Sequence, residues 1–476
     1  MIPLLLILLP FVAGILSFFV KSDNGGKQLA LFFSIATLAV MLLGLCVFNQ
    51  SAFHHFDVSW LVSLGSRFTI GLDGMGKMLC LLTAISFPII IVATYNNKYK
   101  SSNNFYALLL LTQAGLMGVF VAMDGLLFYF FWELALIPVY FLCSQWGGEK
   151  RIAVTFKFFI YTFIGSLLML VGLLFLYYKT PQHSFAIKDL YNLHLAASEQ
   201  NFAFWLFFIA FAIKMPIFPF HTWQPDAYEQ SPTAVTMVLS GIMVKMGIFA
   251  VLRWLIPIFP DAAAKYGQLI IILSIIGIIY ASLIAMKQDD VKRLIAYSSI
   301  AHIGLMCAAI FTMNSIGLKG VMLQMFSHGI NVIGLWIIAD AIEQQLGTRK
   351  FSELGGLAQK APTLAILLVV LAFANIALPL TNAFIGEFLM FNGLFQYNVY
   401  FAAIAGVGII LAAVYTLNMV QKVLYGNTTT ITENAVEISG NIKWMLAFVT
   451  IMILVFGVYP QPMIDLTKDT VKALIK

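Results

Sequence analysis

Six ionisable side chains lie inside apolar runs of this chain: Glu133, Lys214, Lys245, His302, His328 and Glu387. A charge at bilayer depth costs from about 3 kcal/mol upward, so each marks a functional-site candidate. Lys214 stands in Ala210-Phe211-Ala212-Ile213-Lys214-Met215-Pro216-Ile217-Phe218-Pro219-Phe220-His221. Two prolines follow it and break the helix there. Broken backbone at membrane depth occurs where it lines a cavity or packs on protein. A buried cation beside a broken helix points to ion movement.

Glu133 and Lys245 are the two candidate partners of Lys214. A carboxylate and an ammonium 4 Å apart attract by about 4 kcal/mol at an effective dielectric of 20. Making or breaking one such pair is enough to switch a lysine between holding and releasing a proton. Lys245 sits mid-run in Leu239-Ser240-Gly241-Ile242-Met243-Val244-Lys245-Met246-Gly247, too deep to snorkel. His302 and His328 each lie about nine residues from a basic flank (Arg293, Lys319), which is ~13 Å along a helix. Histidine exchanges protons near neutrality and suits a relay. Tyr297, Ser298, Ser299, Gln324, Ser327 and Asn331 add hydroxyls and amides to the same two runs. Glu387 follows Pro379 as Lys214 precedes Pro216. The structural alternatives are a static ion pair, an interfacial glutamate and hydrogen-bonded packing histidines.

These residues must be carried by membrane helices. The 476-residue chain is 61% hydrophobic and 10% charged, against about 25% charged in soluble domains. A crossing needs ~20 mostly apolar residues. Such runs occur near 2–20, 28–49, 72–95, 105–123, 125–146, 154–178, 201–221, 232–256, 267–287, 293–313, 317–342, 362–395, 398–424 and 441–460. The expectation is an all-α polytopic membrane protein of about fourteen transmembrane helices. The first run lacks the basic region of a signal peptide and reads as a retained helix. The twelfth is too long for one straight helix and holds Pro379 at its middle, so it is expected to be discontinuous.

The net charge of +6 is no nucleic-acid signal, because no Lys/Arg cluster is dense enough. Cys46, Cys80, Cys143 and Cys307 all fall in apolar stretches without metal spacing and read as small buried residues. No phosphate loop, CxxC pair, haem motif or Rossmann fingerprint occurs. Asp226 and Glu229 are expected in a loop capping the seventh span. Lys287-Gln288-Asp289-Asp290-Val291-Lys292-Arg293 is expected to be a solvated hairpin. Alternate loops divide the Lys and Arg residues fifteen to eight, with Lys476 among the eight and Lys77, Lys214, Lys245 and Arg253 inside spans. That bias places both termini outside.

Spacing, without identity, suggests a repeat. The starts near 105 and 267, and Pro216 and Pro379, are offset by nearly the same length. Paired broken helices in matching halves point to an inverted-repeat transporter. The organisation expected is helices 1–3 in 1–104, a first five-helix repeat in 105–256 and a second in 257–426. Residues 427–476 then hold helix 14 and a tail.

At these residues the chain resembles a family. Lys214-Met-Pro…Pro219-Phe-His221…Trp223…Pro225-Asp226-Ala227 with Ser231-Pro-Thr-Ala234 resembles the antiporter-like subunits of respiratory complex I. So does Asp289-Asp290-Val-Lys292-Arg293-Leu-Ile-Ala-Tyr297-Ser298-Ser299…His302, and the likeness covers roughly 70–460. Phe131-Trp132-Glu133…Pro138…Trp146-Gly147-Gly148 and Gly386-Glu387-Phe388 are most similar to the M type, since L, N and antiporter subunits usually carry lysine where Glu387 stands. One departure is Leu380-Thr381-Asn382, where the family often has glycine after the proline.

The resemblance implies a proton relay. Glu133 and Lys214 would form the charge pair of the first half-channel. Lys245 would pass protons inward, His302 and His328 would bridge to the second half, and Glu387 would be the terminal exchange site. It implies a non-redox subunit of NADH:quinone oxidoreductase in a bacterial inner membrane, without a cofactor of its own. NADH, FMN, iron–sulfur clusters and quinone would belong to partner subunits, with L- and N-type subunits as neighbours. A cation/proton antiporter or membrane-bound hydrogenase subunit, or a non-pumping membrane scaffold, are the competing readings.

Overall fold

The computed structural model describes residues 1–48 and 50–475. Asn49, at the end of the second apolar run, and Lys476, one of the tallied charges, lie outside the described residues. The chain begins with α1 (Ile2–Phe19) and α2 (Asp23–Cys46), followed by an antiparallel hairpin, β1 (His55–Leu61) and β2 (Ser66–Gly71). Across this hairpin Arg67 clasps Asp57, and its hydrogen bonds hold that carboxyl below the usual carboxylate range. Next come α3 (Gly74–Ala93), α4 (Ser102–Val121), α5 (Gly125–Trp146) and α6 (Arg151–Lys179). Asp73 caps α3 and Asp124 caps α5, each accepting backbone N–H groups that a helix start leaves free.

The seventh span is broken into α7 (Ala197–Lys214) and α8 (Gln224–Gln230). Asp226 and Glu229 therefore lie on a short helix rather than in a loop; Pro225 in its first turn needs no N–H partner and presets the helical φ. The eighth span, α9 (Thr233–Ile258), is one apolar helix interrupted by two π-turns, Leu239–Met243 and Val251–Leu255. Then follow α10 (Pro260–Met286), α11 (Val291–Phe311) and α12 (Ser315–Leu346). The twelfth run is divided as expected, into α13 (Pro362–Asn375) and α14 (Asn382–Tyr397). In the break, Ala377 and Leu380 take left-handed φ values of 54° and 75°. The departure from glycine thus falls on a backbone conformation that favours glycine. The chain continues as α15 (Val399–Leu424), α16 (Gly440–Val458) and the amphipathic α17 (Gln461–Ile475).

Among the described residues twelve helices are long and apolar enough to cross a membrane, and the two broken spans bring the crossings to fourteen. Five crossings separate the start of α4 from that of α10, so the two five-helix units run in opposite directions. Burial sorts the spans. The apolar windows of α9 and α12 are wholly buried and that of α11 is 94% buried, whereas α2, α15 and α16 are 28% buried. The inner axis is thus α9, α11 and α12, the helices that carry Lys245, His302 and His328. A lipid-facing helix offers nothing to compensate a polar group, so the polar residues collect on the enclosed ones.

Two expectations are corrected. Cys46 is exposed, while Cys80, Cys143 and Cys307 are buried; α2 lies at the rim, so its cysteine faces outward. The stretch 287–293 is only partly solvated: Lys287 and Asp289 are exposed, but the residues after them are tied down. Asp290 caps α11 through the Arg293 N–H and pairs with Arg349, and Lys292 pairs with Glu343 while only 3% exposed. The apposition of α12's end draws these charges together.

Candidate functional site

Lys214 ends α7 because Pro216 cannot continue the helical hydrogen bonding. The turn closes through Met215 N–H to Phe211 O at 2.8 Å, Ile217 N–H to Ala212 O at 3.2 Å and Trp223 Nε1 to Ile213 O at 3.0 Å. Lys214 is 2% exposed, its ammonium finds no hydrogen-bond partner, and it lies 5.3 Å from the Trp132 ring centroid. Glu133 acts on it through space rather than as an ion pair at contact. The reason is helical geometry. Glu133 follows Trp132 on α5 and points about 100° around the axis, so the indole rather than the carboxylate covers the ammonium. Glu133 Oε1 is also without a partner. The expected charge pair is a proximity across an aromatic face, and Lys245 is not a contact partner of Lys214.

Lys245 instead faces the second half. It is fully buried, and it follows the π-turn Leu239–Met243. Such turns re-aim a side chain and recur at functional sites. Its Nζ donates to Ser240 O at 2.7 Å and lies 2.8 Å from His328 Nδ1. Close helix crossing makes this possible. A Cβ on Gly241 would meet Ile333 side-chain atoms at 2.8 Å, and one on Gly329 would meet Gly241 O at 2.8 Å.

From His328 the file continues. The His302 and His328 ring centroids are 5.5 Å apart, and His302 Nδ1 lies 3.0 Å from Glu387 Oε1. Gln324 Nε2 donates to the same oxygen at 3.1 Å. Glu387 sits one turn into α14, so the break at 376–381 turns the carboxylate toward α11 and α12. The structure therefore brings Lys245, His328, His302 and Glu387 into one continuous group, with Lys214 and Glu133 as a second group on the α5 and α7 side.

The accessory polar residues divide. Ser298 accepts from Tyr415 at 2.9 Å and joins Asn375, which donates to Thr416 at 2.9 Å. Ser327 donates to Asn382 O at 3.0 Å and Asn331 to Ala374 O at 3.4 Å, tying α12 to the twelfth-span break. Tyr297 lies under Arg293 at 6.0 Å, and Ser299 Oγ finds no partner. Tyr415, Asn375 and Thr416 were not legible as site residues; a lone Asn just before a proline break was the available signal.

At one end of the bundle the charges form a network. Asp226 joins Lys157 at 2.8 Å and Arg293 at 3.1 Å, and Glu229 joins Arg293 at 2.7 Å and Arg349 at 2.9 Å. Arg349 also reaches Glu343 at 3.1 Å. Two adjoining basins, of about 620 and 340 Å³, open over this network.

Known proteins resemble this chain in sequence and in fold. The family model described as NADH:quinone oxidoreductase/Mrp antiporter, transmembrane, matches residues 122–412. NADH-quinone oxidoreductase subunit M of Rickettsia prowazekii is 36% identical over 461 residues, covering 96% of this chain and 94% of that protein. F(420)H(2) dehydrogenase subunit M of Methanosarcina mazei is 35% identical over 483 residues, covering 99% and 97%. A chain of respiratory complex I from Thermus thermophilus with bound NADH matches over 100% of both chains, with a TM-score of 0.91 and 28% identity. With that match over most of its length, this fourteen-crossing chain belongs to the NADH:quinone oxidoreductase/Mrp antiporter transmembrane family.

Proposed function

We propose that this chain is the M-type, non-redox membrane subunit of NADH:quinone oxidoreductase and carries protons along Glu133, Lys214, Lys245, His328, His302 and Glu387. The observation that supports it most is the contact series Lys245–His328 at 2.8 Å and His302–Glu387 at 3.0 Å on buried helices. Two like charges 2.8 Å apart repel by about 6 kcal/mol at an effective dielectric of 20. Lys245 and His328 therefore hold at most one positive charge between them, and a proton arriving at Lys245 drives one onward to His302. Glu387 receives it, its charge moderated by the Gln324 amide. Carrying one charge against 100 mV costs about 2.3 kcal/mol, less than the repulsion available.

Upstream, among the described residues Lys214 has no hydrogen-bond partner, so a contact with Glu133 is free to form and part. Redox-driven movement elsewhere in the assembly would shift that contact and send a proton toward Lys245. NADH oxidation and quinone reduction, with their flavin and iron–sulfur groups, belong in this reading to partner subunits, and L- and N-type subunits are the neighbours. The chain resides in a bacterial inner membrane with both termini on the periplasmic side. Its functional halves are 105–256 and 257–426, flanked by 1–104 and 427–476.

Substituting Lys214, Lys245 or Glu387 by alanine in the assembled complex tests this. Proton uptake into inverted membrane vesicles during NADH oxidation is expected to fall at least fivefold for each. Full pumping by variants that assemble normally would refute the relay.

A further inference from the structure

The relay has no assigned source of protons. One buried carboxylate outside it has the placement to supply them. Asp340 lies in Ala339-Asp340-Ala341 near the end of α12 and is 4% exposed. Asn97 Nδ2 donates to its Oδ2 at 3.0 Å, and the Thr233 hydroxyl, in the first turn of α9, hydrogen-bonds to the same carboxylate. Asp340 also lines the 340 Å³ basin together with Asn97, Thr233, Lys292, Glu343 and Arg349. Its carboxylate thus sits between water and the bundle interior.

Below it, α9 carries hydroxyls at one-turn spacing on the way to Lys245. Thr233 is followed by Thr236 and Ser240, both fully buried. The Thr236 hydroxyl donates to the Tyr228 backbone carbonyl at 3.2 Å and the Ser240 hydroxyl to the Thr236 backbone carbonyl at 2.8 Å, while the Ser240 backbone carbonyl accepts from Lys245 Nζ at 2.7 Å. Thr233 to Lys245 spans about 18 Å of helix. Residues three or four apart lie about 5–6 Å from each other, a gap one bridging water closes. A second observation marks the same corridor as polar. Trp336 Nε1, one turn from Asp340, is fully buried and among the described residues lacks a protein partner, and its ring lies 5.9 Å from that of Tyr228. Buried polar groups of this kind are met by ordered water.

We propose that Asp340 is the proton-loading carboxylate of this subunit, taking protons from the basin and passing them along Thr233, Thr236 and Ser240 to Lys245. This rests on the relay reading above. The carboxylate forms an O–H bond with a proton given up by hydronium in the basin, leaving water. It then releases that proton into a file of the Thr233, Thr236 and Ser240 hydroxyls joined by bridging water, where each hydroxyl and water accepts one proton and gives up another, the last water handing its proton to Lys245. The neutral Lys245 amine ends as the ammonium. The charged and titratable groups around Asp340 are Lys292 and Glu343, paired with each other, and Tyr99, with Lys98, Lys100, Glu229 and Arg349 farther round the basin. Lys292 pairs with Glu343, and Arg349 with Glu229, Asp290 and Glu343, so among the described residues no cation is paired with Asp340, which exchanges with water.

The test is Asp340→Asn, which keeps the shape and the hydrogen bond from Asn97 but cannot carry a proton. In inverted vesicles holding the assembled complex, proton uptake during NADH oxidation is expected to fall at least fivefold. Asp340→Glu is expected to restore at least a third of it, with a displaced pH profile. Thr233→Val and Ser240→Ala are expected to lower uptake two- to fivefold. Pumping by Asp340→Asn within twofold of the parent overturns the proposal. Should that variant fail to assemble, Asp340→Glu decides, and an unchanged pH profile overturns it. Lys245→Ala and Glu387→Ala run alongside. If they lose pumping while Asp340→Asn does not, the loading site is wrong and the relay stands. If they pump fully, the relay itself has failed.

Discussion

Gly247→Ala adds one methyl group at the point where α9 passes the break after Lys214. A Cβ there would lie 2.7 Å from both Met215 N and Met215 Cβ and 2.8 Å from Phe211 O. Ordinary contact begins at 3.4 Å, so the two segments must part by 0.7 Å (3.4 − 2.7). Two of these atoms are backbone, and Phe211 O holds the Met215 N–H that closes α7, so no side-chain rotation relieves the clash. Overpacking of this kind costs about 1–3 kcal/mol. Replacing glycine by alanine inside a helix otherwise gains about 1 kcal/mol. The expected net effect is a loss of roughly 1 kcal/mol, with Lys214 moved away from Lys245. A displacement near 1 Å at a reacting geometry can cost ~100-fold, so pumping should fall about tenfold at nearly normal assembly. Gly406→Ala in α15 is the control, because a Cβ there meets nothing within 4 Å. It should be neutral or stabilising with pumping intact. The assay is the thermal midpoint of the purified complex together with proton uptake in vesicles. If both alanine variants behave alike and pump fully, the close α7–α9 approach does not set the lysine spacing.

Two further expectations concern stability. Arg253 (side chain 9% exposed) pairs with Asp73 at 2.6 Å, joining the end of α9 to the start of α3; Arg253→Met should lower stability by about 2 kcal/mol, and an unchanged thermal midpoint of the complex would contradict this. Leu380 holds a φ of 75° in the twelfth-span break. Leu380→Gly should be near neutral, relief of about 1 kcal/mol being offset by glycine's lost freedom, whereas Leu380→Val should destabilise by about 1 kcal/mol. Equal midpoints for the two would show that this φ carries no cost.

Much of the site was legible because membrane burial makes polar residues conspicuous. An apolar run tolerates Lys245 or Glu387 only with a partner, so their presence marks an enclosed helix. The prolines at 216 and 379 located both helix breaks for the same reason. Asp340 also stands in an apolar run, but it lies close to Glu343 at the charged end of that run, so sequence does not set it apart from an interfacial residue. For the charges at 226–229 and 290–293, sequence shows polarity but not what lies opposite. Only the approach of α8, α11 and the end of α12 converts those solvent-seeking residues into an ion-pair network.

By itself the sequence determined the number of crossings, the two breaks, the pseudo-symmetry and the six relay candidates. These follow from hydropathy, proline geometry and the cost of charge in lipid, all local properties of the chain. Tertiary structure alone decided who touches whom. Lys245 meets His328 rather than Lys214, because glycines 241 and 329 let α9 and α12 close while a π-turn re-aims the lysine. Trp132 rather than Glu133 covers Lys214, because neighbours on a helix point about 100° apart. Pair contacts depend on crossing distances set by packing between segments far apart in sequence, and no local signal carries that information.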